Sequence, residues 1–358
     1  MERIAEYSLD ELLALAVQRR ASDLHLTAGL PPVIRVDGRL RPLDFDRLTP
    51  TECQRLVYAV LTDRQINQFE SRHELDLSYG VPRLGRFRMN VYMQRGAVGA
   101  ALRVIPSQIP SFEELNLPPM LREIASRASG LVLVTGPTGC GKSTTLACMI
   151  AHINEQRECH IMTIEDPIEY LHEHGKSMVN QREVGSDTYE FAAALRSVLR
   201  EDPDVVLVGE MRDLETISTA LTVAETGHLV LGTLHTRNAP QSIDRIIDVF
   251  PPHQQEQIRV LLASTLEAVI AQQLLPKFSN MGRIPAVEVL VVNAAVRNLI
   301  REGKTHQIYS VVETGGDQGM QTMDRALASL CRRGLVSHEE AMLRAVDADN
   351  YKRWLTTI

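Results

Sequence analysis

The stretch "GLVLVTGPTGCGKSTTLACMIAHINEQ" (130–156) constrains this chain more than any other. A short, continuous apolar run ends in glycine, a tight loop follows, and a helical pattern starts at once. An apolar run of that length reads as a strand buried on both faces. The loop fits G-x-x-x-x-G-K-[ST], and it stands between strand and helix, where its mechanism needs it. In that setting Gly136, Pro137, Thr138, Gly139, Cys140, Gly141, Lys142, Ser143 and Thr144 form a phosphate cradle. The glycines let the backbone turn its N–H groups inward. The start of the helix adds its positive end. Lys142 is expected to reach the β- and γ-phosphates of ATP, and the Ser143 hydroxyl to bind Mg²⁺. Cys140 takes a variable position of the motif and needs no redox role.

Three more apolar runs follow: "HIMTIE" (160–165), "DVVLVGE" (204–210) and "HLVLGTL" (228–234), separated by long helical patterns. Such alternation predicts a parallel sheet covered by helices on both faces, an α/β fold. Ligands of open parallel sheets collect outside the carboxyl ends of the strands. "TIEDPIEY" (163–170) places Glu165, Asp166 and Glu169 at and beyond such an end, and "VVLVGEMRD" (205–213) places Glu210 at another. Hydrolysis of a γ-phosphate needs one carboxylate to orient water and another in the Mg²⁺ shell. In "ETGHLVLGTLHT" (225–236), His235 ends the next strand and is expected to face the phosphate region. His228 starts that strand and is expected to reach a neighbouring loop or subunit instead.

The first hundred residues differ in kind. "SLDELLALAVQRR" (8–20) and "TPTECQRLVYAVL" read as capped helices. "SDLHLTAG", "PVIRVDGRLRPL" and "LGRFRMNVYMQRGAVGAALRVI" alternate with period two, as antiparallel strands do. "IPSQIPSFEELNLPP" (105–119), with Pro106, Pro110, Pro118 and Pro119, reads as an interdomain connector. Beyond residue 250 the pattern predicts helices, with one strand-like interruption, "IPAVEVLVV" (284–292).

At 358 residues, the chain exceeds one ordinary domain. No apolar run approaches the ~18 residues of a membrane span, and "MERIAEYSLDE" lacks the apolar core of a signal peptide. The five cysteines show no metal-ligand spacing and suit a reducing cytosol. Net charge is −7 and aromatic residues make up 4%. A nucleic-acid motor, the rival built on the same core, would present basic and aromatic residues to its strand, so no nucleic-acid partner is expected.

Taken together, these residues resemble the secretion ATPase superfamily, and within it the branch of pilus retraction ATPases. The resemblance runs from "ASDLHLTAGLPPVIRVDGRLRPL" (21–43) through the P-loop and the Asp box "TIEDPIEY". It continues over the Walker B and His boxes in "REDPDVVLVGEMRDLETISTALTVAETGHLVLGTLHT" (200–236) to "AVRNLIREGK" (295–304). It implies a homohexameric ring whose subunits have a PAS-like α+β N-terminal domain (1–104) and a connector (105–119). A RecA-like ATPase core (120–292) and a helical C-terminal region (293–358) complete the subunit. It implies that Glu169 activates water and that Glu210 is the Walker B glutamate and a Mg²⁺ contact. N-terminal-domain arginines complete the nucleotide site in this family; Arg86, Arg88 and Arg103 match, and the resemblance does not choose among them.

The retraction signature A-I-R-N-L-I-R-E recurs with one change, Val296, followed by Arg297, Asn298, Leu299, Ile300, Arg301 and Glu302. Read from its residues, this is a helix capped by Asn293 and stopped at Gly303, with Val296, Leu299 and Ile300 on an apolar face. Arg297 and Arg301, four apart, share a side and form a candidate docking surface. The tetracysteine zinc module of pilus extension ATPases is missing, since only Cys331 follows Cys159. The resemblance therefore implies retraction of type IV pili and twitching motility rather than pilus extension or type II secretion. It further implies a cytoplasmic motor at the inner face of the membrane, an inner-membrane platform protein as partner, and a second retraction ATPase as a candidate partner.

Overall fold

The computed structural model describes residues 4–36, 38–105, 108–279 and 282–356. Its contacts divide the chain into two compact units, Met1–Gln108 with Pro167–Leu171, and Ile109–Asp166 with His172–Ile358. Pro106 of the expected connector lies outside the described residues.

In the first unit, α1 (Leu9–Gln18) starts at Ser8, whose hydroxyl accepts from Glu11 N while the Glu11 carboxylate accepts from Ser8 N. This reciprocal capping box fixes the helix start. Strands β1 (Asp23–Leu26), β2 (Val33–Val36) and β3 (Arg39–Pro42) follow, then α2 (Pro50–Tyr58) and α3 (Asp63–Arg72). β4 (Glu74–Val81), β5 (Gly85–Gln94) and β6 (Ala97–Ile105) complete an antiparallel six-stranded sheet in the order β3-β2-β1-β6-β5-β4. Alternate residues Phe87, Met89 and Val91 face a core shared with Leu12, Leu13, Leu56 and Phe69, as the period-two pattern requires.

The second unit contains α4 (Met120–Ala125), β7 (Gly130–Thr135), α5 (Lys142–Gln156), β8 (His160–Glu165), β9 (Met178–Glu183) and α6 (Phe191–Val198). β10 (Val205–Val208), α7 (Leu214–Glu225), β11 (Leu229–Leu234), α8 (Ala239–Asp248) and α9 (Pro252–Thr265) follow, then β12 (Leu266–Pro276), β13 (Arg283–Val291), α10 (Ala294–Arg301) and α11 (Ile308–Thr314). Helices α12 (Met323–Arg332), α13 (His338–Arg344) and α14 (Ala348–Thr356) end the chain. The seven-stranded sheet runs β13-β12-β7-β11-β10-β8-β9, with only β13 antiparallel to its neighbour. β7, β10 and β11 are buried at every residue, as strands covered on both faces must be.

Two expectations change here. The region beyond residue 250 is not helical with one strand: β12 is an eleven-residue strand between β7 and β13. Its apolar residues Leu266, Val269, Ile270 and Leu274 carry helical spacing, but ladders on both sides satisfy its backbone as a strand. The supposed connector also does more than connect, because Phe112 and Leu117 are buried in the core of the second unit. Among the described residues, no helix is long and apolar enough to cross a membrane.

Candidate active site

Register decides what gathers at the carboxyl edge of the second sheet. Thr135 at the end of β7 pairs with Leu234 of β11 and with Ala271 of β12. Gly136 therefore leaves the sheet beside His235 on one side and Gln272 on the other. Gly136, Gly139 and Gly141 have φ of 142°, 77° and 92°, values that glycine adopts and side-chain-bearing residues avoid. Space excludes side chains too: a Cβ on Gly136 would sit 2.3 Å from the Gln272 carbonyl oxygen and 2.6 Å from Cys140 Sγ.

Pro137, Thr138 and Gly139 form the exposed crest of the loop, while Ser143 and Thr144 are half-buried on the first turn of α5. Lys142 is 9% exposed, and its Nζ donates to the carbonyls of Gly136 (2.9 Å) and Pro137 (3.2 Å). The loop thus curls around its own lysine and presents a cation at the start of a helix, a favourable seat for phosphate. Burial pushes the Cys140 thiol up, although Lys142 opposes the shift. The thiol stays protonated and is a packing group.

Two strands away, Glu210 follows β10. Its Oε1 accepts from His235 Nε2 at 2.8 Å and from Arg212 Nε. Burial pushes its carboxyl up, but Arg212 and then His235 outweigh that push and hold the group below the ordinary glutamate range. An ionised carboxylate is what Mg²⁺ or a positioned water requires. The backbone holds this corner as well: Gly209 N donates to Ile164 O at 2.8 Å and Met211 N to Thr233 O at 3.1 Å. Glu165, at the end of β8, accepts from Thr163 Oγ1 at 2.7 Å and Gln181 Nε2 at 3.2 Å. Asp166 beyond it is exposed and strengthens the charged state of Arg212.

Other residues singled out in the sequence are placed elsewhere. His228 sits at the opposite end of β11, where its Nδ1 lies 2.9 Å from Val223 O and 3.1 Å from Thr226 Oγ1. It closes the turn after α7 and has no part in the phosphate corner. Glu169 is exposed and falls in Pro167–Leu171, the segment grouped with the first unit. In that unit, Arg86 and Arg88 share a face of β5, and Arg103 of β6 pairs directly with Arg88. Like charges opposite each other repel, and Asp23, 8% exposed, offsets this by accepting from Arg103 Nε at 3.0 Å.

The structure places Arg297 differently from a side chain sharing an open surface with Arg301. α10 is capped by Asn293, which accepts from Val296 N at 3.0 Å, and Val296 and Ile300 are fully buried. Leu299 packs partly against the same core, and Asn298, Arg301 and Glu302 are exposed. Arg297, however, does not form a free surface with Arg301. Its Nη1 donates to the carbonyls of Ala263 (2.6 Å) and Ser264 (2.9 Å), and its Nη2 to Glu267 Oε1 (2.6 Å). It clamps the end of α9, whose last carbonyls have no partner within the helix. The sequence also gave no notice of Gln272 and Arg212. Arg212, two residues from Glu210, was within reach of a local reading; Gln272 was not.

The family described as type II/IV secretion system protein matches residues 2–343 of this chain. The chain is 50% identical to the type IV pilus retraction ATPase PilT of Pseudomonas aeruginosa, over 96% of its own length and 99% of the relative's. It is 48% identical to a twitching motility protein of Neisseria gonorrhoeae, over 96% of its own length and 92% of that protein. Its fold matches a crystal structure of the pilus retraction motor PilT with bound ADP, at a TM-score of 0.91 and 52% identity, over 97% of this chain and 100% of that one. The chain belongs to the type II/IV secretion system protein family and is a P-loop ATP hydrolase.

Proposed function

We propose that this chain is the motor that retracts type IV pili and so drives twitching motility, working as a Mg²⁺-dependent homohexamer. The observation that carries the reading is its likeness, over nearly its whole length, to a pilus retraction motor with bound ADP. Gly136–Thr144 cradle the phosphates, and Lys142 meets the β- and γ-phosphates. Ser143 and Glu210 offer Mg²⁺ the hydroxyl and carboxylate oxygens it prefers, and the bound ion would offset phosphate charge. Glu169 is assigned the activation of water, with Glu165 next in line. His235 is assigned the sensing of the γ-phosphate, a role that its bond to Glu210 supports. Arg86, Arg88 and Arg103 supply cations to a nucleotide site completed within the ring.

The motor would act at the cytoplasmic face of the membrane, through an inner-membrane platform protein and, where present, a second retraction ATPase. Deleting the gene in its host and scoring pili and twitching tests the reading. Hyperpiliated, non-motile cells support it, whereas bald cells would assign the chain to extension. For the ring, Lys142→Ala subunits mixed with parental ones should depress activity more than dilution does; a strictly linear fall in mixed rings would count against coupled subunits.

A further inference from the structure

Gln272 lies on β12, far along the chain from the P-loop, yet it is 2% exposed and both ends of its amide are engaged there. Its Nε2 donates to the Cys140 carbonyl at 2.6 Å, and its Oε1 accepts from Thr145 Oγ1 at 2.8 Å. Thr145 N in turn donates to Gly141 O at 3.0 Å. One side chain therefore ties the middle of the phosphate loop to the first turn of α5.

The consequence follows from peptide geometry. In a planar trans peptide the C=O and the next N–H point in opposite directions. Holding the Cys140 oxygen against β12 turns the Gly141 N–H away from β12, toward the side where a phosphate would lie. A Cβ on Gly141 would stand 2.9 Å from Gln272 Nε2, so a side chain there would push this amide aside, and the φ of 92° at Gly141 itself favours glycine. The strand that supplies Gln272 pairs along most of its length with β13, which leads into α10.

We infer that Gln272 is a positioning residue of the nucleotide site: it sets the peptide plane of Cys140–Gly141 so that the Gly141 N–H is preorganised for a nucleotide phosphate. This rests on the reading of Gly136–Ser143 as the nucleotide loop. An N–H that meets the phosphate alike in ground and transition states changes binding more than turnover.

The test compares full-length Gln272→Met, Gln272→Glu, Thr145→Val and Lys142→Ala, using fluorescent ADP binding, ATP hydrolysis and thermal melting. Gln272→Met keeps the volume and removes both bonds. Gln272→Glu keeps the acceptor for Thr145 but loses the donor to Cys140 O. Both should raise the Kd for ADP and the KM for ATP together by about tenfold, the scale of one buried hydrogen bond left unmade, with kcat within about twofold. Thr145→Val, which leaves the bond to Cys140 intact, should weaken ADP by about threefold at most. Lower melting temperatures with parental Kd and KM in both Gln272 variants would make the residue merely structural and overturn the inference. A fall in kcat at unchanged Kd would overturn it too, by assigning Gln272 to the chemical step. If Lys142→Ala binds and hydrolyses like the parent, the loop itself has been misread; if Lys142→Ala fails while the Gln272 variants match the parent, only the role of Gln272 falls.

Discussion

Arg297→Ala separates a structural clamp from a docking residue. The guanidinium makes two charge-assisted bonds to the last carbonyls of α9 and one to Glu267, at 2.6–2.9 Å. Its side chain is 27% exposed and that of Glu267 is 19% exposed, so solvent screens the pair only in part. Bonds to a charged donor contribute about 1.5–3 kcal/mol each when buried, and partial exposure reduces them. Truncation should then cost about 3 kcal/mol, and at ~2–4 °C per kcal/mol for a domain of this size the melting temperature should fall by about 8 °C. The control is Arg301→Ala, an exposed position on the same helix, expected to melt within about 1 °C of the parent. Arg297→Lys keeps the charge but cannot fork between two carbonyls and a carboxylate, so it should recover less than half of the loss. Differential scanning calorimetry at fixed pH and salt makes the comparison. Equal melting of Arg297→Ala and Arg301→Ala would refute the clamp and return Arg297 to the surface role suggested by its sequence spacing.

Lys142→Ala should reduce ATP hydrolysis by about 10²-fold or more, since it removes the cation proposed to meet the phosphates; a steady-state phosphate-release assay reads it. Glu169→Gln should slow turnover by about 10²–10⁴-fold and keep ADP binding, because the amide has the shape of the carboxylate but cannot take a proton; parental turnover would shift the role to Glu165. A third expectation concerns pH. Glu288, 1% exposed, accepts from Ala239 N at 2.9 Å, and burial raises its carboxyl to about 7, with backbone donors opposing and Asp324 adding to the rise. A carboxyl raised on folding favours the native state while it is protonated, so this contribution is complete below about pH 4.5 and is lost as pH climbs to about 7. Glu288→Gln, which mimics the protonated form, should melt progressively higher than the parent between about pH 5 and 8. A melting difference that ignores pH over that window would show that Glu288 does not titrate there.

What the chain determines locally was legible: the P-loop, its strand and helix, the capped starts at Ser8 and Asn293, and the placing of Glu210 and His235 at strand ends. Each depends on residues within one turn or one strand of each other. β12 was not legible, because a strand buried on both faces loses its alternation, and "LEAVIAQQLL" satisfies helical spacing equally well. Only pairing with β7 and β13 makes it a strand, and only that pairing carries Gln272 to Cys140, 132 residues away. The same holds for Arg297, which looks like a free surface arginine until packing brings the end of α9 beneath it. It holds again for Glu288, an ordinary polar residue in a strand pattern until two helix starts close over it. Local patterns report which backbone and which chemistry a segment favours. They carry no information about which distant donor or charge will arrive, because that is set by sheet order and register, to which every strand contributes at once.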